Sequence, residues 1–219
     1  MAEDHFRYKR FKKNPGKFHD IVATVMFIDI VGFTKRGDNE ALRAVVRSLQ
    51  DSIIDVFANI RWDELNGPNG AIMLPTGDGY GIGFDPSIVH DREVLQLAEK
   101  LSIKLASSGT PIRMGINKGH CWVHRDLNDK LNLAGWGIID AQRAMSCGGK
   151  NHILCTEQFA QPYLEVSKDA SLHPLGDFTP KDRSLRLFNY YSKKFGNAKN
   201  PTKPAKRQRS RARRLRRPA

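Results

Sequence analysis

The sequence predicts an α+β fold built on a ferredoxin-like antiparallel core, and two observations carry that expectation. IVATVMFIDI, residues 21–30, is a short, largely apolar run rich in branched side chains, the pattern of a strand buried on both faces. The patterns that follow it read helix, hairpin, helix and strand, which is the order of that core. A chain of 219 residues favours one domain of ordinary size with a substantial core.

Each element has its own signal. GFTKRGDN breaks the first strand. Over residues 40–60 the apolar side chains Leu42, Val45, Val46, Leu49, Ile53, Ile54, Phe57 and Ile60 recur at intervals of three and four, which predicts an amphipathic helix. A turn at 66–70 leads into AIMLP, then TGDG, then YGIGF; two strand patterns around a tight glycine-bearing turn predict a hairpin with Asp78 at its tip. Residues 89–106 predict a second helix, PIRMGINKGHCWV (111–123) a strand, residues 135–145 a short helix and NHILCT a strand. A short helix at 157–164 follows. A strand pair, 175–178 and 184–191, closes the ordered part around the loop TPKD. No internal repeat is visible.

The formal charge of +13 suggests a polyanion binder until its distribution is read. Ten Lys or Arg and no acid lie from Gly196 to Ala219, which leaves only +3 on the rest of the chain. That segment has no apolar periodicity and strong self-repulsion, so residues 196–219 are expected to form a disordered basic tail. Such a tail is suited to nucleic acid, acidic lipid or an acidic partner, with salt-dependent affinity. Residues 1–17 read as a solvated basic arm, since no apolar segment of a signal peptide follows. The folded domain is then expected at 18–195. No stretch is long or apolar enough to span a membrane. Three cysteines without a CxxC pair support neither a disulfide framework nor a zinc site, and a cytoplasmic setting is the simplest expectation. The seven His form no metal-ligand spacing.

Chemistry concentrates at two aspartates. Asp29 ends the first strand in FIDIVGFT, directly before a glycine-bearing turn whose N–H groups suit phosphate oxygens. Asp78 sits in TGDGYGIGF. In a ferredoxin-like core the first strand is central and the hairpin packs beside it, so the two carboxylates can meet. Either aspartate alone reads equally well as a turn cap. Together they suit two Mg2+ or Mn2+ ions held against a nucleoside triphosphate.

FIDIVGFT, TGDGYGIGF and GWGIIDAQRAM, in that order, resemble the class III nucleotidyl cyclase family, the catalytic domains of adenylate and guanylate cyclases. The resemblance spans roughly residues 18–191. It implies class III additions to the core, and Asp29 and Asp78 as ligands of both metals with help from the Ile30 carbonyl. It also implies Phe33 and Thr34 in a phosphate loop and Arg143 as the arginine that neutralises charge on the α-phosphoryl oxygens. Lys181 in TPKDR lies near the family's triphosphate-binding lysine, with Arg183 and Arg186 as alternatives. The family forms its sites between antiparallel subunits, which implies a homodimer in which one subunit supplies the aspartates and the other Arg143 and the base-reading residue.

The chain departs from the family at three positions. Ile139 stands where the family has an asparagine four residues before the arginine, and it cannot hydrogen-bond a sugar or phosphate. Asp140 is the candidate to position Arg143 or the sugar instead. Leu74 and Asn132 occupy the base-reading positions, matching neither the adenylate pair (Lys and Asp) nor the usual guanylate pair (Glu and Cys). Asn132 suits the edge of uracil or cytosine, with Trp136 and Tyr80 as candidate fillers of the space a purine would occupy. In these substitutions the chain resembles the bacterial pyrimidine cyclases of antiphage Pycsar systems, which implies UTP converted to cyclic UMP as a defence second messenger. A cytidylate cyclase making cyclic CMP and a purine cyclase with relaxed base recognition are the alternatives. A nucleic-acid-binding module and a catalytically dead nucleotide sensor are the rivals outside that class.

Overall fold

The computed structural model describes residues 19–35, 37–58, 62–63, 67–68 and 70–201. In chain order its elements are β1 (His19–Ile30), α1 (Asn39–Phe57), β2 (Trp62–Asp63), β3 (Gly67–Pro68), β4 (Ala71–Pro75), β5 (Gly79–Phe84), α2 (Asp91–Ser107), β6 (Ile112–Arg125), β7 (Leu131–Ala134), α3 (Trp136–Cys147), β8 (Ile153–Thr156), α4 (Glu157–Ser167), β9 (Leu172–Phe178) and β10 (Leu185–Tyr190). Short 3-10 turns span Phe33–Lys35 and Pro180–Asp182.

Alternation along β1 explains the layering. Met26, Ile28 and Ile30 enter one core and Val25 and Phe27 enter a second core on the opposite face. A strand that is apolar on both faces belongs in the middle of a sheet. Accordingly β1 lies between β5 and β6, antiparallel to each. The main sheet runs β4-β5-β1-β6-β8-β10-β9, with β7 paired to β6 and β6–β8 parallel. Its first four strands and the helices α1 and α2 are the predicted ferredoxin-like core; α3, β8, α4, β9 and β10 extend it.

The helices divide between the two faces. Val45, Leu49, Ile53 and Phe57 of α1, Val94, Leu101 and Leu105 of α2, and Phe159 and Tyr163 of α4 share the core of Met26 and Ile28. Asp38 caps α1 by accepting from the Ala41 N–H at 2.7 Å, which satisfies one donor left open by the first turn. On the other face α3 packs Ala141 and Met145 against Val25 and Phe27, and Ala144 and Cys147 against Leu154 and Leu187. It lies directly on the β6 backbone: a Cβ on Gly115 would stand 2.2 Å from the Ala141 carbonyl oxygen. Buried Asn117 of β6 pins the helix start by donating to the Gly137 carbonyl at 2.9 Å and accepting from Thr156 Oγ1 at 2.6 Å.

The predicted strands and helices are present, with shifted ends. Helix α4 continues past Pro162 to Ser167 and β9 starts at Leu172. Strand β7 has no counterpart in the sequence reading, because LNLA is too short for a periodic signal beside the helix that follows. The basic arm, Ile60, Asn66 and Asn69 of the 66–70 turn, and residues 202–219 lie outside the described residues. At the start of the expected tail, Asn197 Nδ2 donates to the Lys150 carbonyl at 2.8 Å, and the Lys199 carbonyl lies 2.7 Å from His152 Nε2.

The close approach of α3 to β6 gives a stability prediction. Gly115→Ala should destabilise the protein by about 1–3 kcal/mol in urea unfolding, because backbone cannot yield to the methyl. Gly37→Ala, with nothing within 4 Å of its added Cβ, should leave the midpoint nearly unchanged.

Candidate active site

Register brings the two aspartates together. Asp29 is paired with Gly79 across β1 and β5, and the Ile30 N–H donates to the Asp78 carbonyl at 3.3 Å. The hairpin turn that carries Asp78 closes through Thr76 N–H to the Gly79 carbonyl at 3.0 Å, with Gly77 at φ +90°, a conformation that favours glycine. Gly79 is equally required, since a Cβ there would lie 2.0 Å from the Ile28 carbonyl oxygen.

A third residue completes this group. Arg113 is the β6 partner of Asp29, and its Nε and Nη2 donate to Asp29 Oδ2 at 2.7 and 2.6 Å. The same guanidinium reaches the Gly148 carbonyl, just beyond α3, at 3.4 Å. Burial raises the pKa of the Asp29 carboxyl above its ordinary value; the Arg113 guanidinium opposes that shift and the neighbouring Asp78 charge adds to it. Arg113 pairs with Asp29, and Asp78 adds a second carboxylate beside them, so the group carries more negative than positive charge.

Hard carboxylate oxygens in that electrostatic setting fit Mg2+ or Mn2+. Asp29 and Asp78 would hold the metal side by side, with the Ile30 carbonyl at the strand end. Among the described residues no group of three or more His, Cys, Asp or Glu is placed to hold a metal. A metal held by two carboxylates alone would need its remaining positions filled by water or other oxygen ligands, as is usual for Mg2+. Phe33 and Thr34 lie in the 3-10 turn after Gly32 (φ +75°), with Phe33 packed on the α1 side and Thr34 exposed. Burial raises the thiol pKa of Cys121 and Cys147 to about 11 and that of Cys155 further, so none is a nucleophile near neutral pH.

Leu74 and Asn132 line one cavity of about 460 Å3, together with Ile72, Asp126, Lys130 and Leu131. The Leu133 N–H occupies Asn132 Oδ1 at 2.7 Å. That leaves the side-chain NH2, a donor, and one further lone pair on Oδ1. The two expected fillers are elsewhere. Tyr80 alternates to the α1 face, where its hydroxyl accepts from Gln50 Nε2 at 3.1 Å, whereas Leu74 packs on the α3 face. Trp136 is exposed at the start of α3, and its ring lies beneath arginines.

Those arginines form the third group. Asp140 is buried, accepts from Arg183 Nη2 at 2.8 Å and stands 3.8 Å from Arg143 Nη1. The guanidinium carbons of Arg183 and Arg143 lie 4.4 and 5.8 Å from the Trp136 ring centroid. Lys181 is exposed on its turn, and Arg186 is engaged at the surface by Asp177 and Glu157. Of the three basic candidates, Arg183 joins α3. No hydrogen bond or ion pair among the described residues joins Arg143 to Asp29 or Asp78. Sequence reasoning missed Arg113 as a site residue and placed Arg183 second. The signal for Arg113 was its position in the strand that pairs with β1, but periodicity carries no register.

No protein-family model matches the chain, and no curated protein matches it by sequence. Solved structures do match. The adenylyl cyclase CyaB from P. aeruginosa aligns at TM-score 0.62 and 20% identity, over 82% of this chain and 100% of that one. The guanylate cyclase domain of RhGC from Catenaria anguillulae, solved in complex with GTP, aligns at 0.62 and 23%, over 81% and 99%. A dimeric guanylyl cyclase domain of the RhoGC fusion protein from the aquatic fungus Blastocladiella emersonii aligns at 0.61 and 22%, over 81% and 99%. The chain has the class III nucleotidyl cyclase fold.

The charge balance around Asp29 sets two expectations for metal binding. Saturating Mn2+ should raise the melting temperature of the wild type, by linkage, and Asp29→Asn should abolish that rise. Arg113→Ala should lower the metal-free melting temperature yet enlarge the Mn2+ increment, because the guanidinium and the cation compete for one carboxylate.

Proposed function

We propose that the protein is a nucleotidyl cyclase, closing a nucleoside triphosphate into a 3',5'-cyclic nucleotide with release of pyrophosphate. The observation that carries this reading is the adjacency of Asp29 and Asp78 at one end of a central strand, in a fold of this class. Bound at these carboxylates, divalent metals supply Lewis acidity to the ribose 3'-hydroxyl and take up charge on the triphosphate. The new bond joins the 3'-oxygen to the α-phosphorus, the bond to the bridging oxygen of pyrophosphate breaks, and the hydroxyl proton passes to solvent. Asp29 and Asp78 orient the polyphosphate against the end of β1. Phe33 and Thr34 belong to the loop beside it. Arg113 holds Asp29 at hydrogen-bond distance and keeps its carboxylate oriented at the strand end. Arg143 neutralises charge growing on the α-phosphoryl oxygens, a contribution realised in the transition state.

The named structural neighbours are adenylyl and guanylyl cyclases, which supports a purine nucleotide under relaxed recognition. One observation favours a second reading. Leu74 and Asn132 share a cavity and leave the two base-reading positions without the Lys and Asp of an adenylate site, although Asp126 and Lys130 line the same cavity, and the Asn132 NH2 suits a carbonyl acceptor such as uracil O4. UTP is the substrate of that reading, with CTP next, and a second-messenger role in antiphage defence depends on it. Among the described residues no hydrogen bond or ion pair joins Arg143 to Asp29 or Asp78, which is in keeping with a homodimer whose subunits share sites.

Two experiments test these readings. Purified protein given Mn2+ and each of ATP, GTP, UTP and CTP should form a 3',5'-cyclic product resolved by mass. Dominant cyclic AMP or GMP establishes the purine reading and ends the pyrimidine one. Asp29→Asn and Arg143→Ala, each inactive alone, should regain activity when mixed, because one site per heterodimer keeps both residues; no recovery would count against shared sites.

A further inference from the structure

We infer that His152 and Asn197 are positioning residues for Arg113: they strap residues 189–201 to the loop after α3 and thereby hold the guanidinium on Asp29. Asp29 acts here as the metal ligand of the nucleotidyl cyclase reading, on which the inference rests.

The loop 148–152, between α3 and β8, grips β6 on both sides of Arg113. The Asn151 N–H donates to the Ile112 carbonyl at 2.7 Å, and the Met114 N–H donates to the His152 carbonyl at 2.8 Å. Between those two bonds the Arg113 guanidinium donates to the Gly148 carbonyl at 3.4 Å while it holds Asp29 Oδ2 at 2.7 Å. The loop reads GGKNH, so no apolar side chain anchors it. Two glycines and a left-handed Asn151, at φ +61°, give it little stiffness of its own.

Polar contacts therefore hold the loop. The Gly149 N–H donates to His152 Nδ1 at 2.9 Å, and His152 Nε2 lies 2.7 Å from the Lys199 carbonyl. A backbone N–H only donates and a carbonyl only accepts, so these partners select the neutral tautomer with its proton on Nε2. Buried His152 thus closes the loop with one nitrogen and ties it to the strap with the other. Asn197 makes a second tie: its Nδ2 donates to the Lys150 carbonyl at 2.8 Å, and its Oδ1 accepts from the Lys199 N–H at 3.0 Å. The strap is rooted in the sheet, since buried Asn189 of β10 donates to the Asn197 carbonyl at 2.7 Å and Phe195 packs on Tyr190 with ring centroids 4.8 Å apart. Pro201 is buried at its far end. Chain ends are poorly ordered unless tied down, and here two of the ties run to the loop that brackets Arg113.

Solvent exchange of the Arg113 Nε–H reports the hold on the guanidinium directly, by NMR of the metal-free full chain labelled with 15N-arginine, the signal being assigned by its loss in Arg113→Lys. His152→Asn places an amide where Nδ1 stands and loses the Lys199 contact; His152→Gln places one where Nε2 stands and keeps it. His152→Asn and Asn197→Ala should each speed the exchange about tenfold, as expected when opening no longer breaks a hydrogen bond, and His152→Gln less than about threefold. Ile53→Val, in the α1 core, should lower the melting temperature and leave the exchange unchanged. In calorimetry Mn2+ should bind about threefold more tightly to His152→Asn than to the wild type, because a loosened guanidinium competes less for Asp29, and the Arg113→Ala background should remove that difference. Wild-type exchange in folded His152→Asn and Asn197→Ala overturns the inference, as does equal acceleration by Ile53→Val or an Mn2+ gain that persists without Arg113. If the wild type binds no Mn2+ and cyclises none of the four triphosphates, yet the exchange responds as expected, the cyclase reading fails and the strap stands.

Discussion

The pairing of β1 with β6 underlies the rest of the molecule. It runs without interruption from His19 opposite Val123 to Ile30 opposite Ile112. Side chains alternate along a strand, so a slip of one residue would send Met26, Ile28 and Ile30 to the α3 face and Val25 and Phe27 to the α1 face. Both cores would then lose their complement. The same register sets Asp29 against Arg113 on one side and, through β5, against Gly79 on the other. Packing of apolar side chains on two faces thus fixes the position of a single carboxylate.

That carboxylate is held in an unfavourable electrostatic setting. Burial and Asp78 disfavour its charge, and Arg113 relieves only part of the deficit. A second unbalanced cluster lies on α3, with the opposite sign: two guanidiniums converge on Asp140. One group is short of positive charge and the other carries an excess of it. Neither imbalance stabilises the fold, since well-packed apolar side chains would serve burial better. They are the features by which the site differs from the core around it.

Particular residues show where reading the chain succeeds. FIDI ends a run apolar on both faces, which required a central strand, and TGDG between two short apolar segments required a hairpin. Their adjacency in a ferredoxin-like order put Asp29 beside Asp78 before any coordinates. Tyr80 shows where reading fails. It follows Asp78 closely and is large, yet alternation sends it to the α1 face and away from the Leu74–Asn132 cavity. Trp136, also named as a filler, stands at the exposed start of α3, where its ring meets Arg183, a residue far along the chain. Strand β7 escaped notice because four residues carry too little periodicity to stand out.

The sequence by itself determined the α+β class, the order of the elements, and the two aspartates at strand ends. These follow from local periodicity and turn chemistry, which act over a few residues and are written directly in the side chains. Tertiary structure alone decided that Arg113 lies on Asp29, that Asn132 Oδ1 accepts from the Leu133 N–H, and that Arg183 rather than Lys181 reaches Asp140. Each of these depends on strand register, on a side chain's competing backbone partner, or on left-handed residues in a turn. Such choices are set by the balance of many contacts distant in sequence, and no local pattern records them.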